Sequence, residues 1–568
     1  MLRPRLSRAP RPALRKTSAA LLLVAGFARA PAVQANVPVV ITPGEQSQPV
    51  MAPDGAGGAI VAWQDFRDGA GSDIYAQRLG ADGIPLWAPG GVAVCTAPAF
   101  QTLPRIVADG AGGAILAWSD YRSGNGDIYV QRLDAAGAAL WTPDGMPICD
   151  DGQPQLGVGI APDGSGGVIA VWEDFRSGSD GDLYAQRVSA AGAPAWGLNG
   201  VVVCVAAGAQ ASPSICSSTA GGAVVLWRDQ RAGGSGDLYA QRLSATGSRL
   251  WAADGVIVCG AAGGQYDVSL VSDGAGGGIA VWSDERDAWS SDIYAQRIGS
   301  GGAAQWTPDG VRVCGAASFQ LFPVAASDGA GGVLIAWEDS RSDTTVDIYT
   351  QRVGADSTML WAPDGVRLAD AAGYESVPSI CADGGGGAIV AWQDQRDLGD
   401  EDVYAQRVSG AGVRLWSDDG IAVSSATNAQ LGPALVSDGD GGALFAWYDA
   451  RNGDWDLYAQ HADASGGMGG VAGIAPQRQT AGLDLAAPVP HPVRGTAVLR
   501  FTLPDAGAVE LAVFDAAGRR VRTLLDAPLA AGSHAYTFDV ARTLRPGLYF
   551  VRLAACGRSA STRLVALP

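Results

Sequence analysis

Five polar side chains of the kinds used in catalysis recur together eight times along the chain. The first copy places Asp65 and Arg67 in the string W-x-D-x-R, and Asp73, Tyr75 and Gln77 in the string D-[ILV]-Y-x-Q-R. Carboxylate, guanidinium, phenol and amide groups are the acid–base and binding groups of many active sites. An active site is normally single, however, so a set repeated in every unit indicates a structural device.

One face of a strand would carry three of the repeated residues. Trp63, Asp65 and Arg67 are two apart, and alternate residues of a β-strand share a face. An Asp–Arg pair there would tie one strand to the next through charge-assisted hydrogen bonds. The pattern predicts structural roles for Trp63, Asp65, Arg67, Asp73, Tyr75 and Gln77. The alternative is a multivalent lectin with one Trp, Arg and acid pocket per repeat boundary, because Trp offers sugars an apolar face and Arg offers planar hydrogen bonds.

Other catalytic residue types are scarce. Only three His occur in 568 residues, His461, His491 and His534, which argues against His-based catalysis and multi-His metal sites. Five of the eight Cys share one register in different repeats and no C-x-x-C occurs, so zinc binding and thiol redox chemistry are not expected. Only Cys204 and Cys216 are placed to form a disulfide. We therefore expect no catalytic centre, no metal site and no cofactor.

The loop between the two strings differs in every copy, and variable loops on a rigid scaffold commonly carry binding residues. The two Trp outside the repeat registers both lie in it, Trp289 in the fifth copy and Trp455 in the eighth. Tyr121 adjoins the same loop in the second copy. Aromatic side chains are frequent in binding surfaces, so these three are the predicted ligand-binding residues. Local packing of the loop is the alternative.

The elements that hold these residues are short strands. The Trp of W-x-D-x-R recurs at spacings of 54 or 55 residues, and a second Trp follows it in seven repeats. Each repeat contains four short apolar or alternating runs separated by Gly-rich and Asp-Gly turns, with no useful helical period. Four strands per repeat and eight repeats predict an all-β chain with an eight-bladed β-propeller. A β-solenoid is the alternative, although its coils are usually much shorter.

The ends of the repeat region predict a closed ring. The eighth repeat stops near Asp463 without its second Trp and without its fourth strand. The segment that follows residue 35, Asn36-Val37-Pro38-Val39-Val40, is in phase with Gly91-Val92-Ala93-Val94-Cys95 of the first repeat. This N-terminal strand can therefore complete the last blade, and closure removes unpaired strand edges.

The repeat also resembles a known family. In the third copy, Ala161-Pro162-Asp163-Gly164 precedes Trp172-Glu173-Asp174-Phe175-Arg176-Ser177-Gly178, and Asp182-Leu183-Tyr184 follows. This order is similar to the TolB-type, WD-like propeller repeat. The resemblance implies a propeller with protein-binding surfaces. The repeats here are longer, carry an extra Trp-containing segment and number eight, so the role of TolB itself is not transferred.

Composition changes after the repeats. Residues 464–487 are rich in Gly, Ala and small polar residues and are predicted to be a linker. Six alternating runs then predict a small C-terminal Ig-like β-sandwich at 488–568. Pro490-His491-Pro492, Val513-Phe514-Asp515-Ala516-Ala517-Gly518-Arg519 and Arg545-Pro546-Gly547-Leu548-Tyr549 resemble the type IX secretion C-terminal sorting domain and the related FlgD-like domain. That resemblance implies export across an outer membrane, with the secretion machinery as a partner. An Ig-like spacer is the alternative.

Residues 1–35 have the order of a signal peptide. A basic segment containing Arg3 and Lys16 precedes the apolar run Ala19 to Phe27, and Val33-Gln34-Ala35 offers a cleavage site. Removing these residues, seven of them basic and none acidic, changes the net charge from −18 to −25. Such a charge disfavours nucleic acid. The predicted domains are a signal peptide (1–35), a propeller (36–463), a linker (464–487) and a sorting domain (488–568).

Together these features predict a secreted or cell-surface, non-catalytic binding or adhesion protein, expected to be a monomer with a protein or glycan ligand. The lectin is one alternative. A propeller-based glycan hydrolase or lyase is another, and it needs a unique cluster of carboxylates with Tyr or Arg on one face.

Overall fold

A computed structural model describes residues 36–69, 71–178, 180–287, 290–342, 345–396, 399–469, 484–485, 493–503, 507–515, 519–529, 532–545, 547–555 and 558–567. The predicted signal peptide (1–35), Trp289, His491 and Cys556 lie outside these residues. The chain divides into two compact units, Met1–Gly470 and Val471–Pro568. Among the described residues, no helix has the length and apolar character needed to cross a membrane.

The first unit contains eight antiparallel sheets; seven have four strands in chain order from the innermost outwards, and the eighth has three such strands and takes its outermost strand from the N-terminus. The innermost strands are Gln46–Pro53, Gln101–Ala108, Gln155–Pro162, Gln210–Ser217, Gln265–Ser272, Gln320–Ser327, Glu375–Ala382 and Gln430–Ser437. The second strands are Ala59–Asp65, Ala114–Asp120, Val168–Asp174, Ala223–Asp229, Gly278–Asp284, Val333–Asp339, Ala388–Asp394 and Ala443–Asp449. The third strands are Asp73–Leu79, Asp127–Leu133, Asp182–Val188, Asp237–Leu243, Asp292–Ile298, Asp347–Val353, Asp402–Val408 and Asp456–Ala462. The outermost strands of blades 1 to 7 are Val92–Cys95, Met146–Cys149, Val201–Cys204, Val256–Cys259, Val311–Cys314, Val366–Arg367 and Ile421–Ser424.

The outermost strand of the eighth blade comes from the N-terminus. Val37–Val40 pairs antiparallel with Asp456–Ala462, with Val37 opposite Ala459. The innermost strands of neighbouring blades contact each other all the way round, the first and last blades included. The all-β class is confirmed, and eight four-stranded sheets joined in this way fit an eight-bladed β-propeller with a closed ring.

Repeated contacts join each blade to the next at seven boundaries. The Trp87 indole N–H and the Arg78 guanidinium both donate to the Ala135 carbonyl of the next blade, at 3.1 Å and 3.0 Å. The Arg78 guanidinium is also paired with Asp54 of its own blade at 2.8 Å. The second Trp of each later repeat makes the same bond to the following blade. The second Trp of each repeat therefore links blades 1 to 8 through seven boundaries. At the remaining boundary, between blades 8 and 1, the link is the N-terminal strand, which pairs with blade 8 and continues into blade 1.

The glycines of the turns make room for these rings. Gly91 has a positive φ of 82°, and a Cβ there would lie 2.5 Å from the Trp63 ring. Gly137 has a φ of 85°, and its Cβ would lie 2.9 Å from Trp87 of the preceding blade. A side chain would be strained by the backbone and blocked by the indole at both positions. The high Gly content of the chain, 80 residues, thus reflects packing repeated in each blade.

The second unit has two antiparallel sheets. One contains Asp484–Leu485, Thr496–Leu503 and Gly532–Asp539, and the other contains Arg520–Leu529, Gly507–Asp515, Gly547–Ala555 and Arg558–Ala566. A short helix, Val540–Thr543, follows the first sheet. Leu499, Val513 and Val551 are buried in a core that both sheets share. The arrangement is a β-sandwich, and its Ig-like identity stays a prediction. Met468–Gly469, within the predicted linker, pairs with the last third strand, so the first unit extends beyond Asp463.

Candidate functional site

The repeated polar residues form one closed network in each blade. The indole N–H of Trp63 donates to Asp65 Oδ2 at 2.7 Å, and Arg67 binds both oxygens of the same carboxylate. The Arg67 guanidinium stacks 3.7 Å from the Tyr75 ring centroid. Trp63 and Asp65 are completely buried. All eight blades make the same ion pair: Arg67–Asp65, Arg122–Asp120, Arg176–Asp174, Arg231–Asp229, Arg286–Asp284, Arg341–Asp339, Arg396–Asp394 and Arg451–Asp449.

Gln77 and Asp73 complete the repeated set. The Gln77 amide donates to the Ala88 carbonyl and its oxygen accepts from the Trp87 backbone N–H, so it holds the loop that carries the second Trp. Burial, and then the charges of Asp68 and Asp65, raise the pKa of Asp73 to about 6. Every group of the set except Asp73 is thus engaged in binding its own blade.

This burial bears on the lectin alternative. A sugar can stack only on an exposed aromatic face, and the indole of W-x-D-x-R is fully buried in all eight blades. The acid of each predicted pocket is saturated by its own Arg and Trp. A Trp, Arg and acid pocket at every repeat boundary therefore does not exist in the folded ring.

Two of the three predicted ligand-binding residues, Tyr121 and Trp455, are described by the structure and are not brought together. Trp455 is half-buried and packs edge to face on Tyr448, with ring centroids 5.1 Å apart. Its backbone carbonyl accepts from Gln46 of the first blade. Tyr121 is half-buried in the second blade and its backbone N–H donates to Phe100. Blade 1 separates the two loops, and Trp289 lies outside the described residues.

Sequence reasoning missed a repeated bulge in the innermost strands. Each bulge lies near the face of the ring on which the W-x-D-x-R turns lie, which we call the motif face. In blade 1 the pairing register shifts between Ser47 and Val50, and the same shift occurs in the other seven blades. The third residue of each innermost strand has a positive φ: Gln48, Leu103, Gly157, Ser212, Asp267, Phe322, Val377 and Gly432. These bulge residues are almost all exposed, and they are of seven different types in the eight blades.

The residue directly after the Trp of W-x-D-x-R faces these bulges. Its residues are Gln64, Ser119, Glu173, Arg228, Ser283, Glu338, Gln393 and Tyr448. The Glu173 carboxylate accepts from the Ser212 backbone N–H of the next blade at 2.6 Å, and Glu338 accepts from Val377 at 2.8 Å. A carboxylate here caps an N–H that the bulge withdraws from the strand ladder. The position is thus both structural and open to variation.

Interactions of residues in these two variable registers, together with Tyr266 next to the bulge residue Asp267, link each blade to the next from blade 3 to blade 7. The charges of Glu173 and Arg228 interact, and the Arg228 guanidinium lies 5.4 Å from the Tyr266 ring centroid. Asp267 interacts in turn with the charge of Glu338. The residue opposite Glu338 in the ladder is Leu321, which puts the bulge residue Phe322 beside it. We call this set the variable arc: Glu173, Arg228, Tyr266, Asp267, Phe322 and Glu338.

The two glutamates of the arc differ in their surroundings. Burial raises the pKa of Glu173, while the Ser212 N–H and the Arg228 cation oppose the rise. Burial also raises the pKa of Glu338; the Val377 N–H opposes the rise, and the negative charge of Asp267 adds to it. The neighbouring charge thus lowers the pKa of one glutamate and raises that of the other.

Exposed apolar side chains adjoin the Glu338 end of the arc. Phe319, Phe322 and Tyr374 are 46%, 52% and 54% exposed, and Val377 is 47% exposed. Aromatic faces beside carboxylates offer both stacking and hydrogen bonding to a polar ring. The signal in the sequence is the variable residue directly after the Trp in the repeated string W-x-D-x-R.

A separate cavity of about 390 Å³ lies on the motif face beside the loop of blade 3, lined in part by Asp180, Asp182 and Tyr184. Burial raises the pKa of Asp182, and the Ser177 hydroxyl bonds to it. The rest of the lining is small, Val205 to Gly208, and it offers no broad aromatic face. The variable arc is therefore the stronger candidate site. Among the described residues, no three His, Cys, Asp or Glu side chains are grouped to hold a metal ion.

Comparison with known proteins gives distant fold likenesses alone. No protein-family model and no curated protein matches the chain. A protein of unknown function from Dyadobacter fermentans is 13% identical with a TM-score of 0.33, covering 53% of this chain and 93% of its own. An alpha-L-arabinofuranosidase from Fusarium graminearum, in complex with an iminosugar inhibitor, is 12% identical with a TM-score of 0.30, covering 56% and 95%. An alpha-L-arabinanase from Penicillium chrysogenum, complexed with arabinobiose, is 13% identical with a TM-score of 0.26, covering 59% and 94%. At these values the likenesses assign no activity to the chain.

Proposed function

We propose that this protein binds a carbohydrate on the motif face of its propeller, at the variable arc. The observation that carries the proposal is the arc itself: one set of unrepeated charged and aromatic side chains in a ring whose W-x-D-x-R network repeats eight times. A ligand that binds at only one place on a repetitive ring must be recognised by residues that differ between the blades.

The chemistry of the arc suits a sugar. Phe322 and Tyr374 expose ring faces on which the C–H side of a pyranose or furanose can stack. Glu338, Asp267 and Arg228 supply acceptors and planar donors for hydroxyl groups. Both kinds of contact occur within blades 4 to 7, so one short oligosaccharide can use them together.

A second candidate, glycan hydrolysis, is favoured by one specific observation. Glu338 and Asp267 are carboxyl groups close enough for their charges to interact, and burial with that interaction raises the pKa of Glu338. In such a reaction Glu338 would be the acid that donates to the glycosidic oxygen, and Asp267 would be the base or nucleophile. The sequence-based expectation of a non-catalytic protein did not consider these residues.

Binding is tested on a glycan array with the chain that begins at Asn36. We expect Phe322→Ala to weaken binding of the best glycan about tenfold, the loss of one well-packed stacking contact. Leu103→Ala is the matched control, because Leu103 is the bulge residue of blade 2, across the ring, and is 47% exposed. Equal effects of the two changes, or no glycan bound by the parent chain, would contradict the proposal.

Hydrolysis is tested by the release of reducing ends from the glycan that the array identifies. An enzyme should lose this release in Glu338→Gln and in Asp267→Asn, while both variants keep binding within a few-fold. Binding with no release by the parent chain would leave the carbohydrate-binding function and exclude the enzyme.

We further propose that the chain is exported by residues 1–35 and by a sorting function of the C-terminal β-sandwich, and that it acts at the cell surface as a monomer. The resemblance of residues 488–568 to type IX sorting domains supports this route. Surface labelling of cells that carry the full chain, compared with a chain ending at Gly470, tests it. Equal surface display of both chains would contradict a sorting role.

A further inference from the structure

The innermost strands carry a single charged side chain in the register that follows the bulge. Arg105 is the fifth residue of Gln101–Ala108, directly after the register shift. The corresponding residues of the other blades are all uncharged: Val50, Gly159, Ser214, Ser269, Val324, Ser379 and Ala434. Because the innermost strands surround the axis of the ring, these eight positions form one ring around the central channel.

Arg105 has no ion-pair partner in the described part of the chain. Its one hydrogen bond runs to the carbonyl of the neighbouring Pro104, at 3.5 Å. Every Arg of the eight W-x-D-x-R strings, by contrast, binds a buried Asp. Surrounding protein lowers the pKa of Arg105, and no carboxylate offsets the effect. The side chain is nevertheless exposed, so solvent in the channel reaches it.

An unpaired cation is unusual in a chain of net charge −18. Partly desolvated guanidinium groups normally have a carboxylate or another anion beside them. The same register holds a serine in three other blades: Ser214, Ser269 and Ser379 are half-buried, and no hydrogen bond of their hydroxyl groups is seen in the described residues. Guanidinium and hydroxyl donors without any acceptor charge are the groups that bind oxyanions.

We propose that this ring of the central channel binds an oxyanion, with Arg105 as its charged ligand. The ligand group is a carboxylate or phosphate, carried by a sugar acid or present as the free ion. The site lies on the innermost strand of blade 2 and uses none of the residues of the variable arc. It therefore stands or fails independently of carbohydrate binding there.

Thermal unfolding of the chain from Asn36 tests the site, with sodium glucuronate or inorganic phosphate replacing chloride at constant ionic strength. A bound anion raises the unfolding midpoint by mass action. We expect the rise in the parent chain and its loss in Arg105→Gln. The matched control is Arg312→Gln, which removes one charge from an outermost strand, where Arg312 lies 3.8 Å from Asp292 and its side chain is 56% exposed. This control should keep the full rise.

Three results are informative. A rise with both anions that needs Arg105 identifies a general oxyanion site, and a rise with glucuronate alone identifies a sugar-acid site. No rise with either anion, or an equal rise in Arg105→Gln, overturns the proposal. Without anions, Arg105→Gln should unfold at the same or a higher temperature, because it removes an unpaired desolvated charge. Isothermal titration of both variants with phosphate provides a second measurement that does not depend on unfolding.

Discussion

A single carboxylate organises each blade at the residue scale. Asp284 is buried, binds both the Trp282 indole and the Arg286 guanidinium, and caps the backbone N–H of Arg286. A neutral or missing partner would leave a guanidinium and an indole N–H without their acceptor. The cost of breaking such a pair from one side exceeds the small gain of an exposed ion pair.

We expect Asp284→Asn to lower the free energy of unfolding by roughly 2–3 kcal/mol, because Arg286 loses a buried partner. Urea unfolding of the chain from Asn36 measures it. The control is Asp254→Asn, since Asp254 and Arg249 form an exposed pair at 3.6 Å that should contribute less than about 1 kcal/mol. A similar small change in both variants would show that the repeated pair is not structural.

Glu375 is the exception in a register that is otherwise Gln. It is the first residue of its innermost strand and is 2% exposed, and burial raises its pKa to about 8. The folded protein therefore keeps a proton that the unfolded chain releases above the ordinary glutamate pKa of 4.5. The contribution of this proton to the free energy of unfolding is present at low pH. It is lost as the pH rises from 4.5 to about 8, by ~1.4 kcal/mol per pH unit.

Glu375→Gln should remove this loss, so the variant gains on the parent chain as pH rises from 5 to 9. Unfolding midpoints at both pH values measure the difference. Gln320→Glu, the same register in the preceding blade, should introduce the loss where none existed. Identical pH profiles for the parent chain and Glu375→Gln would contradict the burial of an ionisable carboxyl group at this position.

Residue identity predicted the repeated network and missed the variable arc for one reason. Trp63, Asp65 and Arg67 recur with fixed spacing, and repetition alone indicates structure. Glu338 and Arg228 belong to a site only because the residue after each Trp meets the bulge of the next blade. The bulge is hard to recognise in the sequence, since six of the eight bulge residues with positive φ are not Gly. Arg105 was visible as a strand residue, but its lack of a partner is a property of the fold.

At the scale of elements, the four strands of each blade and the N-terminal closing strand follow from the sequence. Alternation and Gly-rich turns marked the strands, and the incomplete eighth repeat marked the closure. The closing strand is short, but its end is well fastened. The Asn36 amide donates to the Val423 carbonyl, and the Asn36 oxygen accepts from Arg451 at 2.9 Å.

Deleting residues 36–41 should therefore lower the unfolding midpoint by several degrees and expose the last third strand to solvent. Hydrogen exchange of Asp456–Ala462 measures the exposure. The chain from Asn36 is the control, because it lacks the predicted signal peptide and keeps the closing strand. Unchanged exchange of this strand in the deletion variant would mean that another segment closes the ring.

At the scale of the whole molecule, the described cysteines of the folded protein are free thiols. Cys95, Cys149, Cys204, Cys216, Cys259, Cys314 and Cys381 are all free, Cys204 and Cys216 included. Burial raises the pKa of Cys95, Cys204 and Cys216 to about 12, and it raises that of Cys381 further. The one disulfide that the sequence allowed is absent from this part of the chain.

We expect an aromatic disulfide reagent to leave these seven thiols unmodified in the native protein and to titrate them after denaturation, because thiolate formation and access are both suppressed. The colour released with and without denaturant measures this. Any native reaction should be that of Cys556 and should vanish in Cys556→Ser. Rapid release of several equivalents from the native chain would contradict the buried placement.

The last boundary of the ring has a consequence for the order of events during synthesis. Blades 1 to 7 can each be fastened as soon as the following blade has been made, since every clasp runs to the next blade along the chain. Asn36 must wait for Arg451, which is 415 positions later. Until then the growing chain is an open arc with one free edge at its start. For the export route proposed above, this delay has an advantage: the closed ring, which would resist translocation, cannot be completed before nearly the whole propeller has been made.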